Sequence, residues 1–306
     1  MELEFAGATP YCYANSLAMM LNSAAPAPSA IEVLTGSPFG AQWATGGLPY
    51  FDPPGWDPDL GLDRAADLLG WTCRHTAGGD ATAAMARLRA AARSGPVLVG
   101  PVDMGLLTHQ PEAAGTADGT DHWVVVLDVT DDLVVFHDPE GFPFATLPAD
   151  IFAAAWDSRA VEFAAPFTLR SEFRRVRDVD VLDAVRNSLP AARIWLSADG
   201  PDGEPGGGAA EAVERLAARV RAGLDAATRA HLTGFAVRVG TRRLSDAALW
   251  LGRAGASEAA EVAGRQARLL GSAQYGLAVG DGDRAATALE RLAGTYAELR
   301  GALGGE

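Results

Sequence analysis

The 306-residue chain contains no lysine. All its formal positive charge rests on 25 arginines, so Schiff-base chemistry and a Walker-type phosphate lysine are both excluded. Asp and Glu together number 39, leaving a net charge of −14. Such an acidic chain does not read as a partner for DNA or RNA, whose backbones call for clustered positive charge. Cysteine is nearly absent as well. Cys12 and Cys73 are too few for a disulfide framework, and neither stands in a Cys-x-x-Cys zinc or redox pair. No apolar run reaches the roughly 18 residues of a membrane span. The opening residues, MELEFAGATPYC, lack the basic stretch and apolar core of a signal peptide. These absences predict a cytoplasmic protein with reduced thiols, bound neither to membrane nor to nucleic acid.

What is present suffices for a folded core. Hydrophobic residues make up 48% of the chain against 21% charged, which argues against wholesale disorder. At roughly 150 residues per domain the length suggests two. Charge is uneven: residues 1–165 hold 21 acids and 6 arginines, residues 166–306 hold 18 acids and 19 arginines. The asymmetry places a boundary near residue 165. A Gly/Pro/Asp-rich linker is expected at 198–208.

The first half reads as α+β. CYANSLAMMLN (12–22) has helical apolar spacing and opens at Cys12, just after Pro10. Residues 36–61 read as a long loop, 62–71 as a helix stopped by Gly70, and 80–94 as a helix capped by Asp80. PVLVGPVD (96–103) reads as a buried strand. HWVVVLDV (122–129) and LVVFH (133–137), joined by Thr130-Asp131-Asp132, read as a β-hairpin broken by Asp138-Pro139. A short helix at 148–156 and a strand at 160–169 complete this half. The second half reads as helices at 209–232, 245–253, 257–279 and 283–302, with Asp283 as a cap.

Cys12 carries the first chemical signal. A thiol in the first helical turn feels the positive end of the helix dipole, which favours the nucleophilic thiolate; a small buried core residue is the plainer reading. His122 opens an apolar strand, and a hairpin of this length can place Asp138 beside it. Cysteine, base and orienting acid in that order form a thiol triad. His137 is an alternative base, but neighbours on a strand point to opposite faces, so it and His122 cannot serve one triad. His75 and His109 lie in or near loops. With Asp103 and Asp121 they show no metal-ligand spacing, so no metal is expected. Asp118, Asp131 and Asp132 read as solvated turn acids, and Cys73 as structural.

The helix-opening cysteine of PYCYANSLAMML, followed by DHWVVVLDV and LVVFHDPEG, resembles the papain-like thiol-protease scaffold, in particular the bacteriocin-leader-processing peptidases. The resemblance covers residues 1 to about 165 and implies nucleophile Cys12, base His122 and acid Asp138. Those peptidases carry a glutamine upstream of the cysteine as an oxyanion donor. Here the first glutamine is Gln42, leaving the Cys12 N–H with Thr9, Tyr11 or Asn15 as candidate donors. A thioester, already activated, needs less such help than an amide.

The chain is also similar in organisation to butirosin-type carrier-protein acyltransferases and to the off-loading Dieckmann cyclases of tetramate and pyridone biosynthesis. This implies a papain-like catalytic domain over 1–165 and a mostly helical lid or recognition domain over 166–306. It also implies an acyl-enzyme on Cys12 and a substrate brought on the phosphopantetheine arm of an acyl or peptidyl carrier protein, with no resident cofactor. Tyr11, Asn15, Trp43 and Trp123 are the candidate substrate contacts. Arg174 and Arg175, in a basic cluster with Arg170 and Arg177, are either a solvated helix face or the dock for the carrier. A cysteine peptidase or amidase and an inactive peptide- or acyl-binding module are the alternatives. The second half shows no motif of its own.

Overall fold

A computed structural model describes residues 10–43, 47–161, 163–197 and 208–304. In chain order its first elements are α1 (Cys12–Leu21), α2 (Pro28–Thr35) and α3 (Pro58–Leu68). Then come β1 (Trp71–Thr76), α4 (Ala81–Ala92), β2 (Val97–Asp103), β3 (Asp121–Val129), β4 (Leu133–Asp138) and β5 (Phe142–Pro148). After these follow α5 (Ala149–Asp157), β6 (Leu169–Arg175) and α6 (Val181–Trp195). The remainder is α7 (Ala209–Ala222), α8 (Ala226–His231), α9 (Val237–Arg253), α10 (Ser257–Val279), α11 (Gly282–Ala293) and α12 (Tyr296–Ala302). The fold is mixed α+β. Among the described residues no helix is long and apolar enough to cross a membrane.

Two compact units share the chain: residues 1–31 with 70–178, and residues 32–69 with 179–306. This moves the boundary expected near residue 165 in two ways. The strand expected at 160–169 starts only at Leu169 and runs to Arg175, where β6 pairs with both β1 and β2, so the first unit extends past it. Residues 32–69, expected to lie in the catalytic domain, belong with the second unit. The charge asymmetry disappears with this division: the first unit holds 17 acids and 9 arginines, the second 22 and 16. The expected linker at 198–208 lies outside the described residues except for Gly208.

The first unit is built on an antiparallel sheet of order β1-β6-β2-β3-β4-β5. β2 and most of β3 are buried, as their Val-rich runs require. Val99, Val124, Val126, Phe136, Phe152 and Trp156 lie at the centre of its apolar core. α4 is capped at Asp80, whose carboxylate accepts from the Ala83 N–H at 2.8 Å. α1 lies on β3, fastened by the Ser16 hydroxyl donating to the Trp123 carbonyl at 3.1 Å and by Tyr13 set edge-on to the Trp123 indole. Register shifts in β2 between Val99 and Val102. There Gly100 lies so near Trp123 that a Cβ would fall 2.4 Å from the ring, so only glycine lets the strand pass.

In the second unit α10 packs on α9 and α11, and α11 also packs on α7. The cap of α11 is Asp281, accepting from the Arg284 N–H, and Asp283, the expected cap, falls in the first turn. Residues 32–69 are tied in by charge and packing. Arg243 of α9 donates to Glu32 at 2.8 Å and Asp52 at 2.9 Å and lies over the Trp56 ring, and all three charged side chains are buried. Gly240, one turn earlier, is pressed against Phe51, where a Cβ would meet its side chain at 2.6 Å.

Candidate functional site

Cys12 is the first residue of α1, and Tyr11 before it contributes no side-chain cap. The thiol therefore stands at the positive end of a ten-residue helix. His122 is the second residue of β3. The hairpin register pairs Val125 with His137, and continuing it puts Val124 opposite Asp138. With a strand period of two, His122, Val124 and Asp138 share one face and His137 takes the other. The imidazole Nε2 of His122 lies 2.8 Å from Asp138 Oδ1. The Cys12 thiol is hydrogen-bonded to the same ring, which leaves Nδ1 to face it. His137 is turned toward β5, where its Nδ1 accepts from the Phe144 N–H at 3.0 Å.

Asp138 is enclosed by donors. Its Oδ1 accepts from His122 and from the Glu140 N–H at 2.9 Å; its Oδ2 accepts from His109 Nε2 at 2.8 Å and Gln110 Nε2 at 2.6 Å. Burial works against the carboxylate. The hydrogen bonds from His109 and His122, the His122 charge and the Glu140 N–H outweigh it and hold Asp138 well below the usual carboxylate range. For His122, burial favours the neutral ring. The hydrogen bonds and negative charge of Asp138 and Cys12 prevail, pushing it up to about 10. Burial is also the largest influence on the Cys12 thiol and pushes it up. The hydrogen bond and charge of His122 and a backbone bond from Trp123 act in the opposite direction, while Asp121 adds repulsion. Cys12 is half-buried, and the His122 ring it meets is the group that most favours its ionised form.

The other sequence candidates divide. Trp123 is fully buried between Tyr13 and Phe163, so it is a core residue beneath the site rather than an open contact. Tyr11 is also fully buried, and its carbonyl accepts from the Asn15 amide at 2.7 Å. Trp43 belongs to the other unit, where its indole donates to the Gly47 carbonyl. Thr9 lies outside the described residues. The basic cluster is on strand β6 and the turn after it, not on a helix. Arg170 is buried, Arg174 is exposed opposite Thr72, and Arg175 is paired with Asp178.

His109 and Gln110 were missed as site residues because a His-Gln pair in a loop has no periodicity to reveal its direction. Asp103, weighed above as a metal ligand, instead organises their loop, accepting from the N–H groups of Gly105, Asp118 and Gly119. Among the described residues no group of three or more His, Cys, Asp or Glu side chains is placed to hold a metal.

A family match falls in the other unit. Residues 204–304 match the YobF C-terminal domain. Its described part begins at Gly208 and takes in α7 through α12, the region in which the sequence showed no motif of its own. The chain is also similar to "Uncharacterized protein YobF" of Bacillus subtilis (strain 168), at 34% identity over 164 residues. That alignment takes in 53% of this chain and 52% of the relative, so the chain spans about half the length of the curated relative it matches.

Proposed function

We propose that this protein is a thiol-dependent acyl-transfer enzyme with a papain-like catalytic unit, in which Cys12 takes an acyl group from a thioester. The observation that carries this reading is one chain of contacts: Cys12 on His122, and His122 Nε2 at 2.8 Å from a buried, anionic Asp138. The one proton that Cys12 and His122 share is held on the imidazole as the sulfur adds to the thioester carbonyl. The bond from carbonyl carbon to departing sulfur breaks, and the His122 imidazolium returns the proton to the leaving thiol. Asp138 holds the ring and balances its charge. An acceptor amine, or a carbon of the same acyl chain, then gives its proton to His122 and attacks the Cys12 thioester carbonyl; the bond from that carbonyl carbon to the Cys12 sulfur breaks and the proton returns to the Cys12–His122 pair. The second route is a Dieckmann-type closure.

A thioester donor is favoured over an amide because residues 1–11 contain no glutamine and Gln110 is engaged with Asp138. The two units have similar charge balances, so overall charge favours neither as the dock for a carrier protein. Within the proposal, Arg174, exposed on β6, receives such a partner, since Arg175 is already paired with Asp178.

Intact-protein mass spectrometry with a small acyl thioester tests the reading. One acyl adduct is expected on wild type and on Cys73→Ala, and none on Cys12→Ala. An adduct that persists in Cys12→Ala overturns it. Rapid cleavage of peptides without any reaction on thioesters would assign the site to a peptidase.

A further inference from the structure

Asp138 does not meet His122 alone. An ionised carboxylate has about four lone-pair directions, and here all four are taken. Oδ1 serves His122 and the Glu140 N–H; Oδ2 serves His109 and Gln110. We propose that His109 and Gln110 are positioning residues: they hold the Oδ2 side of Asp138, so that Oδ1 is aimed at His122 and the Cys12–His122 pair keeps a single geometry. This rests on the reading of Cys12, His122 and Asp138 as acyl-transfer machinery.

The arrangement fits this role better than simple neutralisation of a buried acid. Because Asp138 can only accept, His109 turns Nε2–H to it, which leaves Nδ1 on the far side of the ring. That atom is buried and has no hydrogen-bond partner among the described residues, an expense justified only by where the ring must point. Phe136 and Phe142 set their edges against the imidazole at 5.0 and 5.4 Å, both near perpendicular, and so fix its plane. Phe136 is two residues before Asp138 on the same strand, so the ring and the acid are referenced to one backbone. The loop that presents the pair is itself tied down. The Gln110 N–H donates to the Leu107 carbonyl at 2.9 Å, and buried Asp103 gathers Gly105, Asp118 and Gly119. Besides His109 and His122, Glu140 follows Asp138 by two residues, and Asp121 repels the Cys12 sulfur. Loss of the Oδ2 donors therefore frees the carboxylate to rotate, without supplying His122 with another counter-ion.

The test uses the full chain in a Cys73→Ala background, comparing His109→Leu, His109→Gln and Gln110→Leu. Near-UV circular dichroism checks that each variant is folded. The first readout is the downfield proton resonance of the His122–Asp138 hydrogen bond, which needs no substrate. It is expected to move or vanish in His109→Leu and Gln110→Leu and to persist in His109→Gln, whose amide can donate from the same place. The second is turnover of a small acyl thioester against pH. Both leucine variants should lose about tenfold in kcat with little change in KM, the scale typical of a lost outer-shell partner. Their alkaline limb should move to lower pH, because the imidazolium loses its aligned counter-charge. An unmoved resonance in both leucine variants, or His109→Gln behaving like His109→Leu, overturns the positioning role. A resonance that responds as expected while Cys12 forms no acyl adduct supports the positioning role and overturns the acyl-transfer reading instead.

Discussion

His122 gives Asp138 one ring nitrogen and Cys12 the other. The Nε2 contact of 2.8 Å to Oδ1 fixes the ring so that its second nitrogen is spent on the sulfur. Asp138→Asn keeps the shape but can present an amide N–H toward His122, which favours the wrong tautomer. A loss of about 10³–10⁴ in kcat is expected, on the scale of the same change in a serine triad. Single-turnover kinetics with a small acyl thioester checks this, and near-normal rates would remove Asp138 from the mechanism.

Stability should depend on pH through the same pair. His122 is raised from 6.5 to about 10, so its contribution is fully present below pH 6.5 and is lost as pH rises toward 10. Asp138 is lowered, so its contribution is present above 3.8 and is lost as pH falls below that value. The difference in thermal midpoint between wild type and His122→Gln should therefore be largest between about pH 4 and 6.5 and shrink above it. A difference that grows from pH 7 to 10 would contradict the raised imidazolium.

In the second unit, Arg243 satisfies two buried acids at once. Arg243→Met leaves Glu32 and Asp52 buried without their shared cation, and a loss of about 3–5 kcal/mol is expected from breaking such a pair. Chemical denaturation of wild type and of Arg243→Met measures it. Adding Glu32→Gln and Asp52→Asn should recover part of the loss, and no recovery would mean that packing over Trp56, rather than charge, accounts for the effect.

Arg174 and Arg175 differ in their readiness to receive a carrier. Arg175 is already paired with Asp178, whereas Arg174 is exposed opposite a threonine. Arg174→Glu should raise KM for carrier-bound acyl groups by about tenfold, the scale of one charge-assisted contact, while leaving small thioesters unchanged. Arg175→Glu should do less. Equal effects on both substrate types would end the assignment of β6 as the dock.

Much of the site was legible before any fold was known. Cys12 at a helix start, His122 at the head of a Val-rich strand and Asp138 after its hairpin partner are all short-range readings, each set by periodicity or turn chemistry. The hairpin then did the rest, because a period of two puts His122 and Asp138 on one face and excludes His137. Trp123 shows the limit of this logic. Sequence offers it as a candidate substrate contact, yet the fold encloses it between Tyr13 and Phe163 on the face of β3 opposite His122.

The linear chain determined the type of α1, α4, β2, β3 and β4 and offered three residues suited to thiol chemistry, since helix spacing, strand alternation and capping act over a few residues; α2, β1, β5 and α6 were not read from it. Only the tertiary structure decided which segments belong together. Residues 32–69 went to the helical unit because Arg243 needed Glu32 and Asp52, partners 211 and 191 residues away. His109 and Gln110 came to Asp138 for a similar reason. A buried carboxylate must find donors wherever the folded chain brings them, and no local pattern records which loop will supply them.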